Sequence, residues 1–350
     1  MKSIENTRLF TEIHQQPDVI RGLVSTSQES IKRLAEEIHS RGLQHIFIAA
    51  RGTSDNAGRY AKYLLGAHNG MVVSLATPSL FTIYKQPPDL SKALVLGISQ
   101  SGKSPDIVSV VKEGQKQGAL TAAITNYPDS DLGRSAEIVI DLQAGEESSL
   151  AATKTYTAQL TSLAILSTEL NPSHQFHQDL INLPNQMEPI FVDEDHVKEL
   201  AERYRYMSHC VVIGRGFNYA SAFEFSLKMK ELTYTIAEPY SSADFLHGPV
   251  ALVARGFPVF VIGPHGKMIS QMQALVEKVQ NRQAEVVVIS DQAGLLEMGD
   301  QTLVLPKGVP EWLSPITAIL PAQMFAMYLS NTRGFDIDNP RGLSKVTETW

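Results

Sequence analysis

The sequence predicts an α/β fold of two similar units, each a parallel β-sheet flanked by helices on both faces in a flavodoxin-like three-layer sandwich. Apolar, β-branched segments alternate with helical segments along the chain, which is the order of elements in covered parallel sheets. Several dipeptides also recur at one constant offset, as expected of an internal repeat. These are Arg51-Gly52 and Arg215-Gly216 (215 − 51 = 164), Gly102-Lys103 and Gly266-Lys267 (266 − 102 = 164), and Ala158-Gln159 and Ala322-Gln323 (322 − 158 = 164).

Length and composition limit the class of protein. The chain has 350 residues, which is enough for two domains at roughly 100–200 residues each. Its net charge of −7 argues against a nucleic-acid partner, because nucleic-acid phosphates attract basic proteins. The single cysteine, Cys210, excludes an intramolecular disulfide. Because it precedes an apolar strand, we expect it to be a core residue rather than a nucleophile.

No targeting or membrane segment is expected. The first ten residues include Lys2, Glu5 and Arg8 and lack the apolar stretch of a signal peptide. The uncharged run from Leu313 to Thr332 contains prolines and polar residues, so it predicts a buried core helix rather than a membrane span. A cytoplasmic protein without membrane contact is therefore the expectation.

The first copy of the repeat contains apolar segments with the length of buried strands, separated by longer helical segments. The predicted strands are His45–Ala49, Met71–Leu75, Ala93–Ile98, Leu120–Thr125 and Ile138–Asp141, and the predicted helices are Asp55–Leu65, Pro105–Gln117 and Ala152–Leu170. Thr26-Ser27-Gln28-Glu29 has the pattern of a capping box that opens a further helix, to about Ser40.

The second copy repeats the alternation. Its predicted strands are Cys210–Ile213, Pro258–Ile262, Glu285–Ile289 and Thr302–Leu305, and its predicted helices are Tyr219–Tyr234, Met268–Asn281 and Pro315–Ser330. The resulting division is a helical arm over 1–25, a first domain over 26–172, a helical linker over 173–206, a second domain over 207–332 and a tail over 333–350.

Two strand ends of the first copy carry many hydroxyls, at Thr53-Ser54 and at Ser99-Gln100-Ser101-Gly102 with Ser104. Ligands of open parallel sheets bind at the carboxyl ends of strands, and the helix that follows each strand favours an anion. Ordinary helix capping is the alternative for either loop alone. Two such loops on one sheet edge favour a phosphate site. Neither matches a nucleotide-binding motif, so no nucleotide cofactor is expected.

Three charged residues of the predicted helix after Gly216 fall on one face, namely Glu224, Lys228 and Glu231. On spacing alone, a solvated ion-pair stripe is the favoured interpretation. Two carboxylates flanking an amine could instead form a proton-transfer site. His247 follows in a loop that contains Tyr240-Ser241-Ser242-Ala243-Asp244, and a lone loop histidine gains importance only if it meets Glu231. No group of residues has metal-ligand spacing, so no metal is expected.

In their order and spacing, these motifs resemble the sugar-isomerase (SIS) domain family, and within it the isomerase part of the glucosamine-6-phosphate synthases. The resemblance covers essentially the whole chain. It is carried by Arg51-Gly52-Thr53-Ser54, Ser99-Gln100-Ser101-Gly102-Lys103-Ser104-Pro105-Asp106, the segment from Glu147 to Ala152-Thr153-Lys154, Glu224-Phe225-Ser226-Leu227-Lys228-Met229-Lys230-Glu231, Asp244-Phe245-Leu246-His247-Gly248-Pro249 and Asn339-Pro340-Arg341-Gly342-Leu343-Ser344-Lys345.

The resemblance implies a role for each matching residue. It implies that a sugar phosphate is held by Thr53, Ser54, Ser99, Gln100, Ser101 and Ser104. It also implies that Glu231 moves a proton between C1 and C2 and that His247 opens the sugar ring, in some relatives from the partner subunit. The tail lysine that enters the active site corresponds to Lys345. The remaining matches are polar residues of the site: Lys228, Glu224 and Glu147.

The sequence also departs from the synthases. Arg51 stands where they usually have Cys, Lys103 where they usually have Glu, and Asp244 where they usually have Glu. Their glutaminase domain has no counterpart in this sequence, so we expect no ammonia from glutamine. The favoured reaction is therefore deamination of glucosamine 6-phosphate to fructose 6-phosphate, by a homodimer with a shared active site. The alternatives are a fructosamine-6-phosphate deglycase and a non-catalytic phosphosugar sensor.

Overall fold

Alternating strands and helices run through almost the whole computed structural model, which describes residues 3–26 and 29–345. Over these residues the strands are β1 His45–Ala49, β2 Val72–Leu75, β3 Ala93–Ile98, β4 Leu120–Thr125, β5 Ile138–Asp141, β6 His209–Gly214, β7 Ile236–Ser241, β8 Pro258–Ile262, β9 Glu285–Ser290 and β10 Gln301–Val304. The strands pair only in parallel within each sheet.

The α-helices of the described residues are α1 Arg8–His14, α2 Gln16–Ser25, α3 Glu29–Ser40, α4 Gly52–Asn69, α5 Ser79–Thr82, α6 Pro105–Lys116, α7 Asp131–Arg134, α8 Lys154–Leu170, α9 His174–Met187, α10 Glu194–Arg203, α11 Tyr219–Thr233, α12 Ser242–Leu246, α13 Ile269–Gln280, α14 Ala293–Leu296 and α15 Ser314–Thr332. Part of the predicted capping box, Ser27 and Gln28, lies outside the described residues, as does the predicted tail beyond Lys345.

The chain forms two units. The first-copy unit comprises Asp18–Glu147, Lys154–Asn182 and the chain from Ser344. The second-copy unit comprises the chain up to Pro17, Ser148–Thr153 and Leu183–Leu343. Helix α1 of the predicted arm thus belongs to the unit that contains the second sheet, where it packs on α15.

The two sheets have the same strand order, which confirms the predicted fold class. The first-copy sheet runs β2-β1-β3-β4-β5, and the second, read from its other edge, runs β7-β6-β8-β9-β10. This is the flavodoxin-like order, whose topological switch point lies between the first and third strands of each sheet. The inner strands β3, β4 and β9 are buried along almost their whole length, as expected when helices cover both faces of a sheet.

The second sheet contains one strand that the sequence did not predict. Ile236–Ser241 forms β7, although the sequence placed Tyr240 and Ser241 in a loop, and the residues that follow form the short helix α12. Pro239 lies within β7 and only two of its six residues are buried, so the period-two pattern is absent. The strand tolerates the proline because it lies at the edge of the sheet.

Helix α11 is fixed by an aromatic cluster in the second-copy unit. The buried ring of Phe225 lies 5.2 Å from the ring of Phe260 in β8 and 6.0 Å from that of Phe325 in α15, centroid to centroid. Such edge-to-face pairs add to the free energy of apolar burial and define the orientation of the helix. The predicted core helix is α15, in which nearly every residue is buried. Within residues 3–26 and 29–345, no helix is both long and apolar enough to cross a bilayer.

Candidate functional site

The first-copy unit places the two groups of hydroxyl residues at its topological switch point. Strand β1 pairs directly with β3, from His45 opposite Ala93 to Ala49 opposite Gly97. The segments that leave the carboxyl ends of these strands are therefore neighbours at one sheet edge. We call them the hydroxyl loops, and they contain Thr53-Ser54, in the first turn of α4, and Ser99 to Ser104, which leads into α6.

Ordinary helix capping does not account for Ser104. Ser104 is the N-cap residue of α6, yet its side chain accepts no capping hydrogen bond. The Oγ atoms of Ser99 and Ser101 accept the backbone N–H groups of Gly102 at 3.2 Å and Lys103 at 3.3 Å. A hydroxyl that accepts such a bond retains its O–H as a donor, so both side chains can also bind an anion.

Backbone geometry and a neighbouring helix complete the loops. Gly102 has a φ of 61°, and a Cβ built on it would lie 1.9 Å from Ser130 Oγ, so only glycine fits this turn. Ser54 is buried and its Oγ accepts a hydrogen bond of 3.0 Å from Gln159 Nε2 in α8. Thr53 and Gln100 are half-buried in the same loops.

An ion pair that the sequence did not reveal joins the two hydroxyl loops. Arg51 Nε lies 2.7 Å from Oδ2 of Asp106, whose carboxylate is fully buried in the first turn of α6. The only signal for it was that Arg51 departs from the residue usual in the similar synthases. The pair links the start of α4 to the start of α6 and thereby stabilises the relative position of the two loops.

Glu147 and Lys345 form a second polar centre in the first-copy unit. The carboxylate of Glu147 is fully buried and accepts hydrogen bonds from the Thr155 backbone N–H at 3.1 Å and the Thr155 hydroxyl at 2.7 Å. Lys345 Nζ lies 3.3 Å from Glu147 Oε2. A charge this deeply buried requires the partners that it has.

In the second-copy unit, Glu224, Lys228 and Glu231 form one carboxylate–lysine network on α11. Lys228 Nζ lies 3.3 Å from Glu224 Oε1 and 2.6 Å from Glu231 Oε2. Glu224 and Lys228 are fully buried, so the expectation of a solvated ion-pair stripe is wrong. Glu231 retains 21% exposure of its side chain and is the member of the network that a substrate can reach.

Burial and the two carboxylates act on Lys228 in opposite directions. Burial lowers the pKa of the ammonium, but the negative charges of Glu224 and Glu231 and their hydrogen bonds outweigh it and raise the pKa above its ordinary value. Lys228 therefore stays protonated at neutral pH. It fixes the orientation of the Glu231 carboxylate by donating to one of its oxygens.

His247 is exposed and directly follows α12, the helix capped by Ser241. Ser241 Oγ accepts the backbone N–H of Asp244 at 3.1 Å and donates to its carboxylate at 2.7 Å. In the part of the chain that the structure describes, no hydrogen bond or ion pair joins the His247 ring to Glu231. The described residues also contain no group of three or more histidine, cysteine or acidic side chains placed to hold a metal ion.

Comparisons with known proteins agree with the repeat and with the fold. The SIS domain model matches residues 40–168 and again residues 205–333. The glutamine–fructose-6-phosphate aminotransferase (isomerizing) of Thermococcus kodakarensis is 34% identical over 346 residues, which are 96% of this chain and 57% of that protein. The chain therefore spans little more than half the length of this relative.

Two solved structures have the same fold. The C-terminal domain of glucosamine-fructose-6-phosphate aminotransferase from Francisella tularensis superimposes with a TM-score of 0.86 at 27% identity, covering 96% of this chain and 98% of that domain. A glucosamine-6-phosphate deaminase from Thermotoga maritima superimposes with a TM-score of 0.77, covering 98% and 100% of the two chains. At 21% identity, the second likeness is evidence for the fold alone.

Proposed function

This chain belongs to the SIS domain family, and on that premise we propose that it is an isomerase-type enzyme acting on a hexosamine 6-phosphate. The reaction is the isomerising deamination of glucosamine 6-phosphate, which with water gives fructose 6-phosphate and ammonia. The observation that carries the proposal is the carboxylate–lysine network, in which a buried ammonium holds one partly exposed carboxylate, Glu231. A fixed carboxylate of this kind is suited to general acid–base catalysis.

The substrate phosphate binds, in this proposal, to the hydroxyl loops. The donors are the hydroxyls of Thr53, Ser54, Ser99, Ser101 and Ser104. The side-chain amide of Gln100 adds a further donor. The loops lead into α4 and α6, whose N-terminal N–H groups and dipoles also favour an anion. The phosphate thereby anchors one end of the sugar, and the reacting carbons are positioned by the rest of the site.

The proton transfer is assigned to Glu231. His247 assists opening of the sugar ring, after which Glu231 removes the proton from C2 and a neutral enolamine forms as the C1 oxygen gains a proton. Glu231 then returns a proton to C1, which gives a protonated imine at C2. Water adds to C2 and ammonia leaves, so that the C2 ketone of fructose 6-phosphate remains. The isomerisation oxidises C2 as it reduces C1, and the exchange of water for ammonia changes no oxidation state, so no redox cofactor is needed.

Two lysines and two glutamates support these steps. Lys228 and Glu224 keep Glu231 oriented from within α11, since Lys228 contacts both carboxylates. Lys345 supplies a positive charge for the oxygen that becomes negative as the proton leaves C2. Glu147 holds Lys345 through the ion pair of 3.3 Å.

The residues of this chain do not supply a cysteine nucleophile for glutamine hydrolysis. The single cysteine of the chain, Cys210, lies buried in β6, and burial raises the pKa of its thiol to about 12. A thiol with such a pKa is protonated at neutral pH and is a poor nucleophile. These residues therefore offer no thiolate for glutamine hydrolysis.

The activity is tested by incubating the purified protein with glucosamine 6-phosphate and measuring ammonia and fructose 6-phosphate together. Equal amounts of the two products are expected. Turnover of a fructosamine 6-phosphate without turnover of glucosamine 6-phosphate would identify the protein as a deglycase rather than a deaminase. Binding of phosphosugars without turnover of either compound would identify a sensor.

The role of Glu231 is tested by Glu231→Gln. We expect turnover to fall by about 10²–10⁴-fold, because the amide cannot accept the C2 proton, while the dissociation constant for glucosamine 6-phosphate changes little. Glu238→Gln is the matched control, since Glu238 is exposed in the same unit and should tolerate the change. A Glu231→Gln enzyme that keeps wild-type turnover would remove Glu231 from the mechanism.

We further propose that the chain acts as a homodimer in which His247 serves the active site of the partner subunit. This proposal accounts for the exposed position of His247 and for the absence of a hydrogen bond between its ring and Glu231 among the described residues.

A further inference from the structure

The second-copy unit contains a loop at the position of the Ser99–Lys103 hydroxyl loop. This counterpart loop, Gly263–Lys267, follows β8 as the hydroxyl loop follows β3. Its residues lie at the repeat offset (267 − 103 = 164). It leads into α13 and leaves the strand that borders β6 at the switch point of the second sheet. The topology therefore gives the second copy the same framework for an anion site.

In the counterpart loop, however, carboxylates of the chain itself accept the backbone N–H groups. The N–H of His265 donates to Asp291 Oδ1 at 2.6 Å, and the His265 ring contacts Asp291 Oδ2 at 2.8 Å. The N–H of Lys267 donates to Glu311 Oε2 at 3.1 Å. The same N–H in the first copy, that of Lys103, donates to the hydroxyl of Ser101 instead.

Glu311 lies directly against the counterpart loop. A Cβ built on Gly266 would lie 2.2 Å from Cδ of Glu311, so the carboxylate occupies the space in front of this glycine. Gly266 also has a φ of 142°, a conformation that residues with side chains rarely adopt. Backbone N–H groups in such loops bind phosphate oxygens and carboxylate oxygens through the same interaction.

The repeat explains where this carboxylate comes from. Glu311 precedes α15 and corresponds to Glu147 of the first copy (311 − 147 = 164). Glu147 accepts hydrogen bonds from Thr155 and pairs with Lys345, whereas Glu311 accepts the N–H of Lys267. The two copies thus use one repeat position for two purposes.

We propose that Glu311 is a built-in anion that occupies the second copy's counterpart of the phosphate site, so that each chain binds one phosphosugar. Removal of this carboxylate uncovers a second site for an oxyanion such as phosphate. The inference rests on the proposed function in one respect, namely that the hydroxyl loops hold phosphate. It goes further in assigning a latent site of the same chemistry to the second-copy unit.

The test is calorimetric titration of the full chain with inorganic phosphate. Wild-type protein should bind one phosphate per chain, and Glu311→Ala should bind a second one. Addition of Ser101→Ala to the Glu311→Ala variant should weaken phosphate binding at the hydroxyl loops and leave the additional site unchanged. This result would show that the additional phosphate does not bind at the hydroxyl loops. Glu297→Ala, which removes an exposed acid of the same unit, is the control and should behave as wild type.

The outcomes separate this inference from the proposed function. Two phosphates on the wild type, or an unchanged number on a folded Glu311→Ala variant, would overturn the inference. If the wild-type protein binds no phosphate, that result would count against the proposed function. An additional phosphate bound by the variant and not by the wild type would still support the latent site. If Glu311→Ala does not fold, Glu311→Gln keeps the side-chain volume and removes the charge. Its phosphate affinity must then exceed that of wild type at the second site.

Discussion

Among the individual residues of the hydroxyl loops, Ser101 is the most accessible to test. It is half-buried, and its Oγ already accepts the N–H of Lys103, which holds the side chain in place. Ser54, by contrast, is buried and bonded to Gln159, so its removal would combine a lost ligand with a disturbed helix contact. A serine that is held in place without being buried contributes to binding more than to folding.

We expect Ser101→Ala to raise the KM for glucosamine 6-phosphate by about 10–100-fold with little change in kcat. A hydrogen bond to a charged group is worth roughly 1.5–3 kcal/mol, and the phosphate stays bound in both the ground state and the transition state. Steady-state kinetics measure the effect, with the exposed Ser91 changed to Ala as the control. An unchanged KM would show that the phosphate binds elsewhere.

Sequence periodicity revealed which residues share a helix face but not how deeply they are buried. The spacing of Glu224, Lys228 and Glu231 was sufficient to place them together, yet it favoured a solvated stripe. Their burial depends on the packing of α15 against α11, and α15 lies about a hundred residues further along the chain. The ion pair of Glu147 and Lys345 could not be predicted from the sequence either, because 198 residues separate the two.

At the scale of elements, the sequence predicted the strands well except for the edge strand β7. The inner strands β1, β3 and β4 have the predicted bounds because buried parallel strands are continuous apolar runs. Strand β7 was missed because an edge strand may contain proline and exposed polar residues. Within the predicted helical arm, the described residues form two α-helices, with a break at Gln15.

Helix α1 packs in the second-copy unit partly through His14. The ring of His14 contacts the Phe10 carbonyl and Glu194 Oε2, at 2.8 and 3.1 Å, and lies 4.7 Å from the ring of Phe191, centroid to centroid. Burial lowers the pKa of His14, but the hydrogen bonds to Glu194 and Phe10 outweigh it and raise the pKa above 6.5. The folded state therefore favours the protonated ring.

This raised pKa makes the stabilising effect of Glu194 dependent on pH. Protonated His14 stabilises the folded state below about pH 6.5, and the effect is lost as the pH rises through the folded-state pKa. Glu194→Gln should therefore lower the free energy of unfolding by up to about 1 kcal/mol at pH 5.5 and by less at pH 8.5. Urea unfolding measures both values, with exposed Glu199→Gln as the control. A loss that is larger at pH 8.5 would contradict the assignment.

At the scale of the whole molecule, duplication gave two units with one strand order and different chemistry. The sequence made the duplication visible because the offset survives in three dipeptides. It could not predict that Glu311 accepts a backbone N–H group of the counterpart loop, because this contact depends on the fold and leaves no local pattern in the sequence. The sequence shows that the two loops differ, at Ser99–Lys103 and Gly263–Lys267, but the contact with Glu311 had to be observed in three dimensions.

The dimeric site is tested by complementation. Glu231→Gln and His247→Ala are expected to be almost inactive alone. If each site takes His247 from the partner subunit, a mixed dimer contains one site in which both residues are intact. Random reassociation of equal amounts should then restore roughly a quarter of wild-type activity. Mixtures that stay inactive, although both variants exchange subunits, would rule out the shared site.

The ion pair of Glu147 and Lys345 also has a consequence for biosynthesis. Ribosomes add about 5–20 residues per second, so the 198 residues between the two take roughly 10 to 40 s to translate. During that interval the nascent chain carries an acidic group whose cation has not yet been made. Burial of this acid costs free energy without the lysine. The loop that contains Glu147 should therefore reach its native conformation late, after the intervening chain has emerged from the ribosome.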